Sequence, residues 1–199
     1  MILSGGNLTC ERGGRTVFSA VSLSLRSGEL MQLTGPNGSG KSSLLRLIAG
    51  LNEQASGTLA LEDGHGDLTI GQQAHYIAHQ EAVKTALSVH ENLAFWRDFM
   101  GGGDVGEALS AFGLSRLSTY PAGLLSAGQK RRLALARLVL VPRVLWLLDE
   151  PTVGLDSASL DRLVKVMAAH LGTGGMIIAA THVPLGREPD TRLELGASS

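Results

Sequence analysis

The sequence predicts an α/β fold with a mostly parallel core sheet, and three observations predict it. Two uninterrupted apolar runs, Val144–Leu148 and Met176–Ala180, are typical of strands buried on both faces, and a helical stretch from Ala158 to about Leu171 separates them. Alternating apolar residues between positions 8 and 25 indicate an N-terminal antiparallel β subdomain. From Ser88 to about Ala136 the pattern becomes helical, which predicts an inserted α-helical subdomain.

The spacing of these patterns divides one domain, residues 1–199, into two parts. Residues 1–80 and 137–199 would form the core, and residues of about 81–136 would form the helical subdomain. Glycine and polar clusters punctuate the N-terminal part. We expect there a strand at Leu30–Thr34, a helix at Ser43–Ala49 that stops at Gly50, a surface loop at 62–72 and a strand at Tyr76–His79.

Composition excludes several classes of protein. Glycine is abundant, at 26 of 199 residues, but there are only 6 prolines and no G-X-Y period, so collagen and a Pro/Gly-rich disordered chain are excluded. A net charge of -1 argues against a nucleic-acid binder. The single cysteine, Cys10, fits a reducing compartment, and Arg137, Pro142 and Arg143 break the longest apolar stretch. We therefore expect a cytoplasmic chain that does not cross a membrane.

Residues 35–42 match the pattern G-x-x-x-x-G-K-[ST], which is typical of a phosphate-binding loop. A strand precedes the pattern and a helix follows it, so backbone N–H groups would converge on phosphate oxygens at the N-terminus of that helix. The lysine would reach the β- and γ-phosphates and the serine would bind Mg²⁺. The predicted ATP-binding residues are Gly35, Pro36, Asn37, Gly38, Ser39, Gly40, Lys41, Ser42 and Ser43.

Polar residues follow three other predicted strands: Gln80, the pair Asp149–Glu150, and His182. Parallel sheets bind ligands at the carboxyl ends of their strands, so these side chains would meet the phosphate loop at one edge. Taken alone, Asp149–Glu150 would be a solvated strand end and His182 an unremarkable histidine. The phosphate loop favours Mg²⁺ and water chemistry for the acidic pair.

The stretch Leu125–Gln129 precedes a basic helical turn. From the residues alone, Ser126 is interpreted as the N-cap of a helix, because the basic run is short and lacks the interleaved aromatic residues of a nucleic-acid patch. No metal-ligand spacing links the remaining histidines, so a structural role is expected for His65, His75, His90 and His170.

The order of these motifs resembles that of the ABC-transporter ATPase family. The phosphate loop, Gln80, Leu125–Gln129, Asp149–Glu150, Gly154–Asp156 and His182 stand where that family has its Walker A, Q-loop, signature, Walker B, D-loop and H-loop. Among these ATPases, the short chain resembles the ATPase subunits of bacterial cytochrome c maturation haem exporters. The residues that carry this likeness are Cys10–Arg12, His79–Gln80, Glu91–Leu93 and the alanine at position 127.

The resemblance implies a role for each motif. Glu150 would act as general base or orient the attacking water, His182 would contact the γ-phosphate, and Lys41 would complete the catalytic set together with Gln80. Mg²⁺ would be bound by Ser42, Asp149 and Gln80. In this family two subunits sandwich two ATP molecules, so each ATP would also contact the partner's signature residues, Ser126, Ala127, Gly128 and Gln129.

The resemblance also implies partners and a location. We expect a homodimer of ATPase subunits bound to an integral membrane permease, without nucleic acid, at the cytoplasmic face of a bacterial inner membrane. The complex would export haem, or it would use ATP to release a haem-loaded chaperone. Phe95, Trp96 and Phe99 would either anchor the membrane partner or form ordinary core of the helical subdomain.

Two departures from the family pattern and three alternative functions are open. No aromatic residue near Arg12 is available to stack on adenine, although a guanidinium could do so, and Ala127 replaces a signature glycine. An ABC subunit for another cargo (lipid, metal or peptide) is one alternative. A non-transport ABC ATPase is disfavoured because the chain has a single motif set and no heptad run. A GTPase is disfavoured by the absence of an Asn-Lys-x-Asp element.

Overall fold

A computed structural model describes residues 1–196, so the predicted end of the core at residue 199 lies outside the described residues. The strands are β1 (Ile2–Arg12), β2 (Arg15–Arg26), β3 (Leu30–Thr34), β4 (Ser56–Glu62), β5 (Ala74–Ile77), β6 (Leu145–Asp149), β7 (Met176–Ala180) and β8 (Thr191–Glu194). The helices are α1 (Lys41–Ile48), α2 (Val89–Met100), α3 (Val105–Ala111), α4 (Ala127–Leu140) and α5 (Ser157–Gly172), with short 3₁₀ turns at Gly71–Gln73, Ser115–Leu117 and Ala122–Leu124.

Two sheets organise the chain. The larger one is parallel throughout, with strand order β5-β6-β7-β3-β8, and the smaller one is antiparallel, with order β2-β1-β4. Helices α2, α3 and α4 contact one another and form the inserted helical subdomain. This arrangement confirms the predicted α/β fold with its antiparallel N-terminal part.

The central strands separate two layers of core because alternate side chains point to opposite faces. In β6, Trp146 and Leu148 pack with residues of α4 and α5, whereas Leu145 and Leu147 pack with α1 and the antiparallel sheet. All five residues of β6 and of β7 are buried. The uninterrupted apolar runs of the sequence therefore correspond to strands covered on both faces, as predicted.

Three details differ from the sequence prediction. Strands β4 and β8 were not predicted, since each is largely exposed and its apolar residues are few. Strand β5 covers Ala74–Ile77 rather than Tyr76–His79, so His79 lies beyond the strand. Helix α4 continues to Leu140, which carries it across the predicted boundary between the helical subdomain and the core at residue 136.

The α-helices of the described residues are 7 to 16 residues long. Within residues 1–196, none is long and apolar enough to cross a lipid bilayer. Exposed apolar side chains are scattered over the chain, and two of them lie close together on α2, where Phe99 is 74% exposed and Phe95 is 39% exposed.

Candidate nucleotide site

The loop between β3 and α1 leaves the N-terminus of α1 without a side-chain cap. Gly40 stands at the N-cap in the left-handed conformation (φ 100°), and no side chain accepts a hydrogen bond there. The first turn of α1 also contains no acidic residue. The N–H groups of this turn and the positive end of the helix dipole are therefore free to bind an anion.

Glycine is required at two points of this loop by its backbone. Gly35 has φ 134°, and a Cβ at that position would collide with the carbonyl oxygen of Leu195, which follows β8. A Cβ at Gly40 would lie 2.9 Å from Phe18 of β2. The loop is thus packed closely between the last strand of the parallel sheet and the antiparallel sheet.

The side chain of Lys41 bends back over the loop. Its ammonium group donates hydrogen bonds to the carbonyl oxygens of Gly35 and of Pro36, the latter at 3.0 Å. A cation is therefore held above the loop whose N–H groups are uncapped. Both features attract the same ligand, a group of phosphate oxygens.

Asp149 and Glu150 line a cleft together with residues of this loop. Asp149 ends β6 and is buried, with 4% exposure. The Tyr76 hydroxyl donates a weak hydrogen bond of 3.5 Å to its Oδ2, and Arg46 Nε donates to the Tyr76 oxygen at 3.2 Å. Burial raises the pKa of Tyr76, so this tyrosine stays neutral beside Asp149. The hydrogen bond from Arg46 to Tyr76 raises the pKa of Arg46.

Glu150 occupies a backbone conformation that is rare for its residue type. Its φ is 48°, in the left-handed region, and its N–H donates to the carbonyl oxygen of Ala180 at 2.8 Å. A non-glycine residue in this region costs about 1–3 kcal/mol and is common at functional sites. The turn directs Glu150 into a cleft of about 350 Å³, which it lines with Lys41, Ser42 and Asp149.

The structure brings most, but not all, of the predicted core-site residues together. The predicted residues that line the cleft are Asn37, Gly38, Gly40, Lys41, Ser42, Ser43, Asp149 and Glu150, and they are joined by Val17 and His79. Gln80 is exposed beside His79 and does not line this cleft. His182 lines a separate cavity of about 110 Å³ with Gln32 and Arg187. Sequence reasoning missed three residues next to the acidic pair, because none of them belongs to a predicted motif: Arg46, Tyr76 and Arg131.

The predicted signature segment lies outside the cleft, at the exposed start of α4. The Ser126 hydroxyl accepts a hydrogen bond from the Gln129 N–H at 3.3 Å, and Gln129 Oε1 accepts from the Ser126 N–H at 2.8 Å. This capping box confirms the N-cap interpretation. A Cβ at Gly128 would lie 2.8 Å from the Gly154 carbonyl oxygen, whereas Ala127 is exposed. The chain therefore accommodates a methyl group at position 127 more readily than at 128.

The residues in the cleft fit a magnesium ion. Ser42 supplies a hydroxyl and Asp149 a carboxylate to the same cleft, and Mg²⁺ binds such oxygen ligands, one or two from the protein and the rest from water or phosphate. Gln80, the third predicted ligand, lies outside the lining of the cleft. Among residues 1–196 there is no group of three His, Cys, Asp or Glu side chains that could hold a metal by themselves.

Two of the remaining histidines lie at the amino edge of the parallel sheet, where His75 is buried and His170 is half-buried. His75 Nε2 lies 2.7 Å from the Val141 carbonyl oxygen, and the His170 ring stacks on Trp146 with 3.8 Å between centroids. Burial lowers the pKa of each to about 4, so both rings are neutral at pH 7. These contacts are structural and lie away from the cleft.

Comparison with solved structures supports the fold independently of sequence. The ATP-binding subunit of an ABC transporter superposes with a TM-score of 0.87 over 98% of this chain and 86% of that one, at 24% identity. A dimeric ATP-binding cassette in a post-hydrolysis state bound to ADP and Pi superposes with a TM-score of 0.83, over 97% and 94% of the two chains, also at 24% identity.

Comparison with curated proteins is more specific. The ABC transporter family profile matches residues 18–153. The chain is 54% identical over 188 residues to the cytochrome c biogenesis ATP-binding export protein CcmA of Nitrobacter winogradskyi, 94% of each chain. It is 56% identical to the protein of that name from Mesorhizobium japonicum, over 94% of this chain and 95% of that one. The chain therefore belongs to the ABC transporter family, in its group of ATP-hydrolysing export proteins of cytochrome c biogenesis.

Proposed function

We propose that this chain hydrolyses ATP with the residues of the cleft and thereby drives a membrane complex of c-type cytochrome biogenesis. The observation that carries this proposal is the arrangement of the cleft, in which the uncapped start of α1 and Lys41 face Asp149 and Glu150. One side of the cleft suits phosphates and the other suits a metal ion and water. That combination is what phosphoryl transfer to water requires.

Each residue of the cleft has a distinct task in this proposal. The N–H groups of residues 38–43 and the Lys41 ammonium bind the β- and γ-phosphates. Ser42 and Asp149 hold Mg²⁺, which neutralises charge on the phosphate oxygens when it is bound. The Glu150 carboxylate orients the attacking water and accepts its proton, and its left-handed backbone fixes the direction from which it does so.

The signature residues Ser126, Ala127, Gly128 and Gln129 serve the ATP bound by a second copy of the chain. Support comes from their position, because the start of α4 is exposed and lies outside the cleft of its own subunit. The Ser126 hydroxyl accepts the capping hydrogen bond, so its own proton is available to donate to a phosphate oxygen. A dimeric cassette with the same fold is consistent with this arrangement.

Gln80 and His182 complete the site in the same dimer. Gln80 adjoins His79, which lines the cleft, and His182 follows the strand next to β6. Both stand at the carboxyl edge of the parallel sheet, where the cleft lies. We assign Gln80 to the metal and the attacking water, and His182 to the γ-phosphate.

An integral membrane subunit is the proposed partner, and α2 is the proposed contact. Phe99 is 74% exposed, so it is not part of the core, and it lines a groove of about 640 Å³ with Ile48, Ile70 and Met100. The Phe95 ring stacks on the Phe99 ring, and the Lys84 ammonium lies 3.5 Å from the Phe95 centroid. Exposed aromatics beside an apolar groove suit a helix from the permease, which would hold the chain at the cytoplasmic face of the inner membrane.

The proposal is tested by replacing Glu150→Gln in cells that lack the wild-type copy and staining for haem covalently bound to c-type cytochromes. We expect the stain to be lost while the protein still assembles with its membrane partner. Glu53→Gln, which changes an exposed carboxylate in the loop before β4, is the matched control and should leave the stain intact. Normal staining in the Glu150 variant with intact assembly would contradict the proposed function.

A further inference from the structure

The guanidinium group of Arg131 is buried at the point where three functional segments meet. Arg131 belongs to α4, one turn after Ser126, and is 2% exposed. Burial lowers its pKa, and the charges of Glu81, Asp149 and Glu150 oppose that shift. An arginine remains charged under these conditions, so its buried guanidinium needs hydrogen-bond acceptors.

The acceptors are backbone carbonyl oxygens of the nucleotide edge. Arg131 Nη1 donates to Ala78 at 2.7 Å, just before His79 and Gln80. Nη2 donates to Asp149 at 3.0 Å and to Glu150 at 2.7 Å. Nε donates a longer bond of 3.4 Å to Pro151. One planar group therefore joins the segment before Gln80 to the acidic pair and attaches both to the signature helix.

The bond to Glu150 acts on a strained residue. The Glu150 backbone is left-handed, and its carbonyl oxygen otherwise accepts only a longer bond of 3.3 Å, from the Val153 N–H. Charged donors make shorter and stronger hydrogen bonds than neutral ones, so Arg131 is the main restraint on this carbonyl. Rotation of the Glu150 peptide would displace the carboxylate that faces Lys41 and Ser42.

We propose that Arg131 is a positioning residue for ATP hydrolysis, which holds the Glu150 turn and the segment before Gln80 in fixed relation to the signature helix. Its hydrogen bonds go to backbone carbonyl oxygens, and it acts on the reaction through Glu150. This inference rests on the proposed role of Glu150. Because α4 begins at the signature residues, the same guanidinium transmits their position at the partner's ATP to the acidic pair.

Arg137 provides a matched comparison within the same helix. It is also buried, at 6% exposure, and burial lowers its pKa to about 10. Its Nε donates to the Ala134 carbonyl oxygen of α4 itself, and its guanidinium lies 4.5 Å from the Trp96 ring centroid. Loss of Arg137 therefore removes a buried charge without touching either catalytic segment.

The test compares Arg131→Gln with Arg137→Gln in the full chain, purified in the assembly that it forms in cells. We expect kcat to fall about 10- to 100-fold in the Arg131 variant only, with the Kd for ATP and the melting temperature of the two variants alike. Arg131→Lys, which can reach some of the carbonyls, should recover part of the rate. If Arg131→Gln does not fold, the lysine variant is compared with Arg137→Lys in the same way.

A double variant separates positioning from general damage. If Arg131 acts through Glu150, adding Arg131→Gln to Glu150→Gln should change the residual single-turnover rate by less than about twofold. The proposal is wrong if the Arg131 and Arg137 variants hydrolyse ATP at equal rates. It is also wrong if adding Arg131→Gln to Glu150→Gln lowers the rate by a further factor of about 10 to 100. Unchanged hydrolysis by Glu150→Gln alone would instead refute the proposed role of Glu150, and would do so whatever Arg131 does.

Discussion

The N-termini of α1 and α4 are built in opposite ways. Gly40 leaves the first turn of α1 without a side-chain cap, whereas Ser126 and Gln129 close the first turn of α4 with a reciprocal capping box. Helix α2 has the same box, formed by Ser88 and Glu91, and Asp104 and Asp156 cap α3 and α5. Among the α-helices of residues 1–196, α1 alone therefore has a start that no side chain satisfies.

A capped helix start adds to the stability of the fold, whereas an uncapped start is available to bind a ligand. A capped start contributes about 1 kcal/mol to the free energy of unfolding and needs no ligand. An uncapped start gives up that contribution, and its N–H groups gain partners when phosphate binds. Helix α4 would combine the two under the proposed function, since Ser126 caps the helix with its lone pair and would keep its own proton for the phosphate of a partner subunit.

The largest expected effect is that of Lys41→Ala. Removing the cation that lies over the uncapped start of α1 should reduce ATP hydrolysis at least about 10³-fold, because the charge on the β- and γ-phosphates would lose its main counterion. Phosphate release measures the rate, and calorimetry with Mg-ATP should show weaker binding. Hydrolysis within tenfold of the wild type would contradict the placement of phosphate at α1.

Ser126→Arg should abolish hydrolysis while leaving ATP binding to the monomer intact. The bulky cation would block the start of α4 against the partner's phosphate, but the cleft of its own subunit does not include residue 126. Calorimetry and phosphate release on the same preparation distinguish the two effects. Loss of monomer binding would show that the cross-subunit role of Ser126 is wrong.

Two histidines at the amino edge of the parallel sheet should make the free energy of unfolding sensitive to acid. His75 has its pKa lowered to about 4, by burial first, so the unfolded chain binds more protons than the folded one between about pH 6.5 and pH 4. Stability is therefore full above pH 6.5 and falls as the pH drops, by up to about 3 kcal/mol at pH 4. His170 adds a smaller loss of the same sign, since solvent reaches it and screens its charge.

Urea unfolding at pH 7 and at pH 4.5 measures this loss. His75→Gln should flatten the pH dependence, because a glutamine at this position does not titrate. His65→Gln is the control, since His65 stands in an exposed segment and should leave the slope unchanged. A slope unaffected by His75→Gln would contradict the assignment of the acid-sensitive group.

The weakest expected change in stability comes from removing either of two serine caps, Ser88 and Ser126. Ser88→Ala and Ser126→Ala should each lower the free energy of unfolding by about 1 kcal/mol, since each removes the acceptor for an N3 backbone N–H. Only Ser126→Ala should also slow hydrolysis. Equal rates for the two variants would show that Ser126 does no more than cap its helix.

The sequence predicts the parts of this molecule that depend on neighbouring residues. The phosphate loop requires glycines, lysine and serine at fixed spacing, and the cap of α4 requires a short hydroxyl side chain at Ser126, next to the first turn. Both were predicted because the interactions close within one turn. The buried strands β6 and β7 were predicted because burial on both faces leaves an uninterrupted apolar run.

Residues whose partners are distant in sequence could not be predicted. Arg131 resembled a solvated member of a basic turn, but it bonds to carbonyl oxygens as far away as Ala78. For Tyr76 the sequence predicts only a position in a strand, although its hydroxyl lies next to Asp149. The edge strand β8 alternates half-buried and exposed residues, and its pairing with β3 is what places Leu195 against Gly35.

We propose that each ATP site combines α1 of one chain with α4 of another, and mixing two inactive variants tests this claim. In a heterodimer of Lys41→Ala and Ser126→Arg chains, one site carries both defects and the other carries neither. We predict that mixing restores single-turnover hydrolysis, to roughly a quarter of the wild-type amount with random pairing. If the mixture is as inactive as either variant alone while heterodimers form, each site lies within one chain and the claim is wrong.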